Sequence, residues 1–405
     1  MLIGVVGAPN KGKSTFFSAA TLVDAQIANY PFTTINPNRG VTYVRSPCPH
    51  VELGLPKCDP KNSRCVDGVR LVPINIIDVA GLVPGAHEGK GLGNKFLDNL
   101  READALIQVV DGTGRTDLQG NACSACDPME ETVFLKDEIA HWLADIMLRG
   151  GGKAPGGMAH GTGSPGSASG GSGSREMAKR LSGLKIDEAM LLHAANECGL
   201  DIGDGMPDAE GALSLARAVL ERRMPIIIAF NKMDASGARE NFGKASAAAG
   251  GNGANIFPCS SAVELALRKA SEHNMIKYTP GAKEFAVSGA PDEKQKEALQ
   301  RMAAFISANN GSGVQEIIDY IVYQKLKGII VYPVEDEHKF SNHKGDVLPD
   351  AHLVPKGTTA HQLAGMIHTD LASKFIGAVD VKRHIRVGAD HPLENGDVIK
   401  IVAGR

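Results

Sequence analysis

Six short apolar runs mark the first two-thirds of the chain: Met1–Val6, Val41–Arg45, Arg70–Ile77, Ala105–Asp111, Pro225–Phe230 and Asn255–Pro258. They show little alternation and end in polar or Gly-rich sequence, which suits strands buried on both faces. Apolar positions at helical spacing follow over Phe16–Leu22, Met129–Leu148, Arg175–Glu197, Ala209–Arg222, Val263–His273, Glu293–Ser307 and Val314–Leu326, with 281–291 reading as loop. Strands alternating with helices predict an α/β fold with a parallel sheet. The interval from Asp111 to Pro225 is far longer than the dozen or so residues one crossover needs. A helical hairpin or small bundle is therefore inserted, riding on the sheet. Within it, residues at about 150–174 are almost wholly Gly, Ser, Ala and Pro, and such a segment buries too little to offset its ordering entropy. It reads as a disordered tether.

The pattern changes near residue 327. Ile329–Tyr332 and a stretch near Ala351–Val354 read as strands, and Lys356-Gly357-Thr358-Thr359 caps a helix with Leu363, Met366, Ile367 and Leu371 on one face. Asn395-Gly396 makes a turn before a last strand, Asp397–Val402. Two strands, a helix and a returning hairpin predict a small β-grasp module. The expected organisation is a P-loop domain over 1–111 and 223–326, a helical insertion over 112–222, and the β-grasp domain over 327–405.

Chemistry is concentrated at the ends of the predicted strands. Gly7-Ala8-Pro9-Asn10-Lys11-Gly12-Lys13-Ser14-Thr15 is G-x-x-x-x-G-K-[ST] between a strand and a helix. Its glycines let several backbone N–H groups converge on one anion at a positive helix end. Lys13 would reach the outer phosphates, and the Ser14 hydroxyl would ligate Mg²⁺. In the Pro- and Asn-rich loop that follows, Thr34, with Thr33 as the alternative, would complete the metal shell as a first switch. Asp78-Val79-Ala80-Gly81 is D-x-x-G: the Asp78 carboxylate would hold the metal through its outer shell and the Gly81 N–H would contact the γ-phosphate. Asn231-Lys232-Met233-Asp234 is N-K-x-D. The Asp234 carboxylate can accept from guanine N1–H and its 2-amino group, donors that adenine lacks, a difference of roughly 10⁴-fold or about 5 kcal/mol. Asn231 would brace the phosphate loop, Lys232 would cover the ring, and the backbone at Ser260-Ser261 would meet the guanine carbonyl.

Leu82-Val83-Pro84-Gly85-Ala86-His87 opens a Gly-rich run that reads as a second switch. Leu82 stands where many small GTPases carry a glutamine that orients water, so the expected intrinsic rate is slow. His87 is the nearest titratable substitute, with a surface-loop histidine as the plainer reading. Asn10 offers another route, holding a K⁺ that neutralises transition-state charge.

Three cysteines and a histidine, Cys48, His50, Cys58 and Cys65, lie within eighteen residues and could form a zinc knuckle. Their spacing lacks a C-x-x-C pair and free thiols would serve as well, so zinc is not the expectation. Cys123-Ser124-Ala125-Cys126 has half-site spacing without a second half. All seven cysteines read as reduced thiols of a cytoplasmic protein. No run is long enough for a membrane span. A net charge of −3 leaves any nucleic-acid surface to a local patch; Lys382, Arg383, His384 and Arg386 form one candidate, a solvated strand face being the other interpretation.

On these residues the chain resembles the Obg-type GTPases, specifically the YchF-related branch found in archaea and eukaryotes. The resemblance rests on Gly7–Ser14, Tyr30-Pro31-Phe32-Thr33-Thr34, Asp78 to Ala86, Gly91-Leu92-Gly93-Asn94-Lys95-Phe96-Leu97 and Asn231–Asp234. Val331-Tyr332-Pro333-Val334 and Lys356-Gly357-Thr358 look like parts of the family's TGS domain. It implies a translation-linked, ribosome-associated GTPase using GTP/GDP and Mg²⁺, with a TGS-like domain touching RNA or ribosomal protein. Some relatives carry N-x-x-E and prefer ATP, whereas the intact motif here favours GTP, and Leu82 fits slow turnover. Residues 150–174 depart from relatives that look more helical there. Two rivals stand beside this reading: an ATPase of the same fold, and a nucleotide-sensing RNA-binding or scaffold protein that scarcely turns over.

Overall fold

The computed structural model describes residues 1–21, 39–79, 100–124, 126–148, 173–203, 205–248 and 255–404. Expectations for Thr33, Thr34, Gly81, Leu82, His87 and the tether up to residue 172 lie outside the described residues. The chain divides into two compact units, one of Met1–Phe17 with Ile77–Ser261, the other of Ser18–Ile76 with Ala262–Arg405.

In the first unit, strands Leu2–Val6, Ala105–Asp111, Ile226–Asn231 and Ile256–Pro258 lie side by side in that order, all parallel. Ala105–Asp111 is buried at every position, as an interior parallel strand must be. The register sets Val6 beside Gln108 and Asp111 beside Asn231, so the polar ends of the strands align along one edge of the sheet. In parallel sheets that edge is where ligands bind.

The inserted helices are Pro128–Leu148, Gly173–Leu181, Glu188–Cys198 and Ala209–Arg223. Leu135, Ile139, Leu143, Met177, Leu191 and Leu215 share one core with sheet residues Val6, Leu106 and Ile226, so the insertion does ride on the sheet. The single helix expected over Arg175–Glu197 is instead broken. Lys185 takes a left-handed conformation at φ 57°, and the Asp187 side chain then accepts from the Met190 N–H to cap a new helix. Gly173 and Ser174, expected in the tether, already belong to the preceding helix.

In the second unit, strands Arg39–Pro47 and Val69–Asp78 are neighbours, and Arg64–Val66 pairs antiparallel with the latter. Helices Ser261–Glu272, Glu293–Asn309 and Val314–Tyr320 follow, the last continuing as a π-helix over Ile321–Lys325. The supposed loop at 281–291 holds one strand of a two-residue hairpin, Ala286–Val287 on Ile276–Lys277. Such short strands carry no periodicity to read.

The C-terminal sheet has the order His352–Pro355, Gly328–Val334, Val398–Ala403, Phe375–Asp380, Ile385–Val387. Its second and third strands are parallel and its other pairs antiparallel. Helix Ala360–Ile367, with a capping box between Thr359 and Gln362, buries Leu363 against Ile329, Val331, Val354 and Ile399. This is the expected β-grasp arrangement. The expected apolar face was too long, however: Met366 is 53 % exposed, and Leu371 sits on a separate helix, Thr369–Ser373, beyond an extended His368. No described helix is long and apolar enough to cross a membrane.

Candidate nucleotide site

The turn after Leu2–Val6 forms because its sequence tolerates conformations most residues avoid. Asn10 and Gly12 have positive φ, 63° and 91°. A Cβ on Gly12 would stand 2.4 Å from the Asn231 amide nitrogen, and one on Gly7 would stand 2.6 Å from the Val109 carbonyl oxygen. Close approach therefore dictates glycine at both ends of the turn. Helix Lys13–Thr21 then begins with Ser14 exposed and Thr15 half-buried in its first turn.

Lys13 Nζ donates to the Val79 carbonyl at 2.8 Å and lies 3.7 Å from Asp78 Oδ1. Burial pushes the Asp78 carboxyl up, with the Lys13 charge opposing it. Asp78 Oδ1 is buried without a hydrogen-bond partner. A carboxylate oxygen in that condition beside a lysine and a turn of backbone N–H groups suits a hydrated cation and a phosphate chain.

Asn231 ties the two sequence motifs together. Its Nδ2 donates to the Lys11 carbonyl at 3.1 Å and its Oδ1 accepts from the Ser261 N–H at 3.0 Å. Ser260 Oγ donates to Asp234 Oδ1 at 2.6 Å, fixing the exposed carboxylate from one side and leaving Oδ2 clear of that bond. Lys232 Nζ reaches the Asn10 carbonyl at 3.1 Å and Asp111 Oδ2 at 2.8 Å. Gly7, Asn10, Gly12, Lys13, Asp78, Asn231, Lys232, Asp234, Ser260 and Ser261 are thus brought to one edge of the sheet.

Two side chains behave differently from the simplest expectation. Lys11 points inward: its ammonium donates to the Thr116 carbonyl at 3.0 Å and pairs with Glu131 Oε2 at 3.0 Å, both side chains almost fully buried. Only its main chain faces the phosphate loop. Asn10 Nδ2 is committed to the Gly120 carbonyl at 2.9 Å, so cation binding there has to use Oδ1.

Sequence reasoning missed Asp111 and Glu131. Asp111 is 1 % exposed and receives Lys232, Thr113 and Thr116. Although burial pushes its carboxyl up, those hydrogen bonds hold it below the usual range. The available signal was an acid closing an otherwise apolar strand. Glu131 carried no signal beyond lying in the first turn of a helix.

The cysteines need one correction. Cys123 and Cys126 form a disulfide, leaving five free thiols rather than seven. The loop brings their Cα atoms to 5.9 Å, within reach of a disulfide. In the second unit the ligand atoms of Cys48, His50, Cys58 and Cys65 all lie within 4.8 Å of one another. Of the basic cluster, Lys382 pairs with Glu52, and Arg383 with Asp380 and Glu394. Half of that patch is therefore neutralised internally.

Comparison with known proteins agrees with this geometry. Residues 2–139 match the model of the 50S ribosome-binding GTPase family, residues 229–336 that of the Obg-like GTPase YGR210-like, G4 motif-containing domain, and residues 344–403 the TGS domain. A GTP-binding protein of Methanocaldococcus jannaschii is 44 % identical over 99 % of both chains, and one of Schizosaccharomyces pombe 33 % identical over 93 % of this chain and 92 % of its own. The ribosome-binding ATPase YchF of Haemophilus influenzae is 41 % identical over 35 % of this chain and 36 % of its own. Among solved structures, a GTP-binding protein from Pyrococcus horikoshii matches over 100 % of both chains at 32 % identity and TM-score 0.73. The S. pombe YchF GTPase shares the fold at 21 % identity and TM-score 0.55, over 99 % of this chain and 97 % of its own. With a phosphate loop braced by the N-K-x-D asparagine and a C-terminal β-grasp sheet, the chain belongs to the YchF-type, Obg-like GTPases with a TGS domain.

Proposed function

We propose that this protein binds GTP with Mg²⁺, hydrolyses it slowly to GDP and phosphate, and acts in the cytoplasm as a ribosome- or RNA-linked switch. The observation that supports the nucleotide reading is the Asn231 bridge between the phosphate loop and Ser261, with Ser260 bonded to Asp234 on the same edge, where the base would lie. Lys13 and the loop N–H groups would hold the γ-phosphate while water attacks in line. Ser14 and Thr34 would ligate the metal and Asp78 would hold one of its waters. A Mg²⁺ held by these residues would supply positive charge to offset that of the phosphates. The orphaned Asp78 Oδ1 supports that assignment.

Leu82 cannot orient the attacking water, so His87, or K⁺ held by Asn10 Oδ1, would have to assist. Equal turnover in Na⁺ and K⁺ removes the potassium route. Loss of the γ-phosphate would release the loops around Thr34 and Gly81 and change the surface shown to a partner. The proposed organisation remains a G domain over 1–111 and 223–326, an insertion over 112–222 and a TGS-like domain over 327–405.

An ATPase of this fold is the second reading, favoured by the similarity of part of the chain to the ribosome-binding ATPase YchF of Haemophilus influenzae. Single-turnover hydrolysis of GTP and ATP, with and without ribosomes, separates the cases. GTP cleavage accelerated by ribosomes supports the proposal, preferred ATP cleavage supports the rival, and no phosphate release under any condition leaves a scaffold.

A further inference from the structure

Between strands Arg39–Pro47 and Val69–Asp78 the chain makes an excursion with little apolar content. A four-residue helix, Pro49–Glu52, is followed by eleven residues without regular structure before strand Arg64–Val66 begins one residue before Cys65. Four donors from three separate places converge here. Cys48 and His50 come from the helix start, Cys58 from the irregular stretch, and Cys65 from the short strand.

Cys48 Sγ lies 3.7 Å from Cys58 Sγ, and Cys65 Sγ lies 3.7 Å from His50 Nδ1. These are two opposite edges of a tetrahedron. With Zn–S of about 2.3 Å and Zn–N of about 2.0–2.1 Å, an ideal tetrahedral site has edges of about 3.6–3.8 Å. The remaining edges are no longer than 4.8 Å, so they close with movements of about 1 Å. All three thiols are free and none is in a disulfide.

Arg70 supplies an independent indication. Its side chain is 0 % exposed; Nη1 donates to Ser63 Oγ, Nη2 to the Leu348 carbonyl, and the guanidinium stacks on Tyr332. Its Nε has no hydrogen-bond partner, and no carboxylate among the described residues pairs with it. A buried cation without a counter-charge is costly. Three thiolates, a neutral imidazole and Zn²⁺ sum to −1, the charge this guanidinium lacks.

We propose that Cys48, His50, Cys58 and Cys65 bind one Zn²⁺ as a closed structural site. Four protein ligands leave no open position, so its role is to hold the excursion in shape. That shape supports the loop that leads into strand His352–Pro355 of the C-terminal sheet. Asp59 and Lys61 donate backbone N–H groups to the Val347 and Pro349 carbonyls, Asn62 bonds the Ala351 backbone in both directions, and Lys61 pairs with Asp346. The site is independent of nucleotide chemistry. Sequence spacing offered the four residues as a possible knuckle without a C-x-x-C pair, and the donors meet only after the strands pair.

The test uses the full chain, purified without chelators and analysed for metal by mass spectrometry. About one zinc per chain is expected, retained in Cys123→Ser and lost in Cys58→Ser. Because the latter could unfold, the wild-type chain is also stripped with a chelator and titrated with Co²⁺. Thiolate-to-cobalt charge-transfer bands and tetrahedral visible bands, bleached by equimolar Zn²⁺, support the site. Absence of both zinc and cobalt bands overturns it, as does zinc that persists unchanged in Cys58→Ser or a Cys48–Cys58 disulfide in the reduced preparation.

Discussion

Removing Glu131 should damage the phosphate loop from behind. Its carboxylate meets the Lys11 ammonium at 3.0 Å, with side-chain exposures of 4 % and 2 %. At an effective dielectric of about 20, charges at that distance attract by roughly 5 kcal/mol, much of it offset by the cost of burying both. Deleting one partner leaves that burial cost uncompensated. In Glu131→Ala, Lys11 keeps only the Thr116 carbonyl, so the expected loss is about 3–5 kcal/mol. Trp142, the only tryptophan, packs against the insertion core and reports this unit directly. With a urea slope near 3 kcal/mol per molar, the fluorescence midpoint should fall by about 1–2 M. The double variant Lys11→Met, Glu131→Leu removes both charges and should recover most of the loss. A shift in Glu131→Ala within experimental error, or a double variant worse than the single, would refute the buried-pair argument.

Two further outcomes follow from the same edge of the sheet. Asn231→Ala leaves the buried Ser261 N–H and the Lys11 carbonyl without their side-chain partner, and GDP affinity measured by calorimetry should drop about 10–100-fold, at roughly 1–3 kcal/mol. Asp111→Asn should lower the thermal midpoint in a pH-dependent way. Its carboxyl is held below the ordinary value near about 4, so its contribution is complete above that pH and disappears as pH falls through the lower folded value. The gap between wild type and variant should therefore be constant from about pH 7 to 5 and narrow below about pH 4; a gap that widens on acidification contradicts the assignment.

The strands and the two nucleotide motifs were legible because both signals are local. A buried parallel strand reads as an apolar run, and a phosphate-binding turn needs glycine where Gly7 and Gly12 occur. The β-grasp module was legible from the cap at Thr359 and the turn at Gly396. What escaped depends on residues distant in sequence. Lys11 lies within the phosphate-loop motif, yet Glu131, on an inserted helix, draws its side chain inward. Asp111 is meaningful only through Lys232, and Lys382 only through Glu52. The break at Lys185 escaped because apolar spacing continues across it, while the cue was the Asp187 cap. The Cys48–Cys65 group was visible as composition, but its convergence depends on pairing of Arg64–Val66 with Val69–Asp78.

The guanine claim rests on the Asp234 carboxylate, anchored by Ser260 on one oxygen. Its most direct test is competition for a fluorescent guanine nucleotide on the full chain, with GTP and ATP as displacers. The account predicts that GTP displaces the probe at roughly 10³–10⁴-fold lower concentration than ATP, and that Asp234→Ala removes most of that preference. ATP displacing the probe as well as or better than GTP would contradict it.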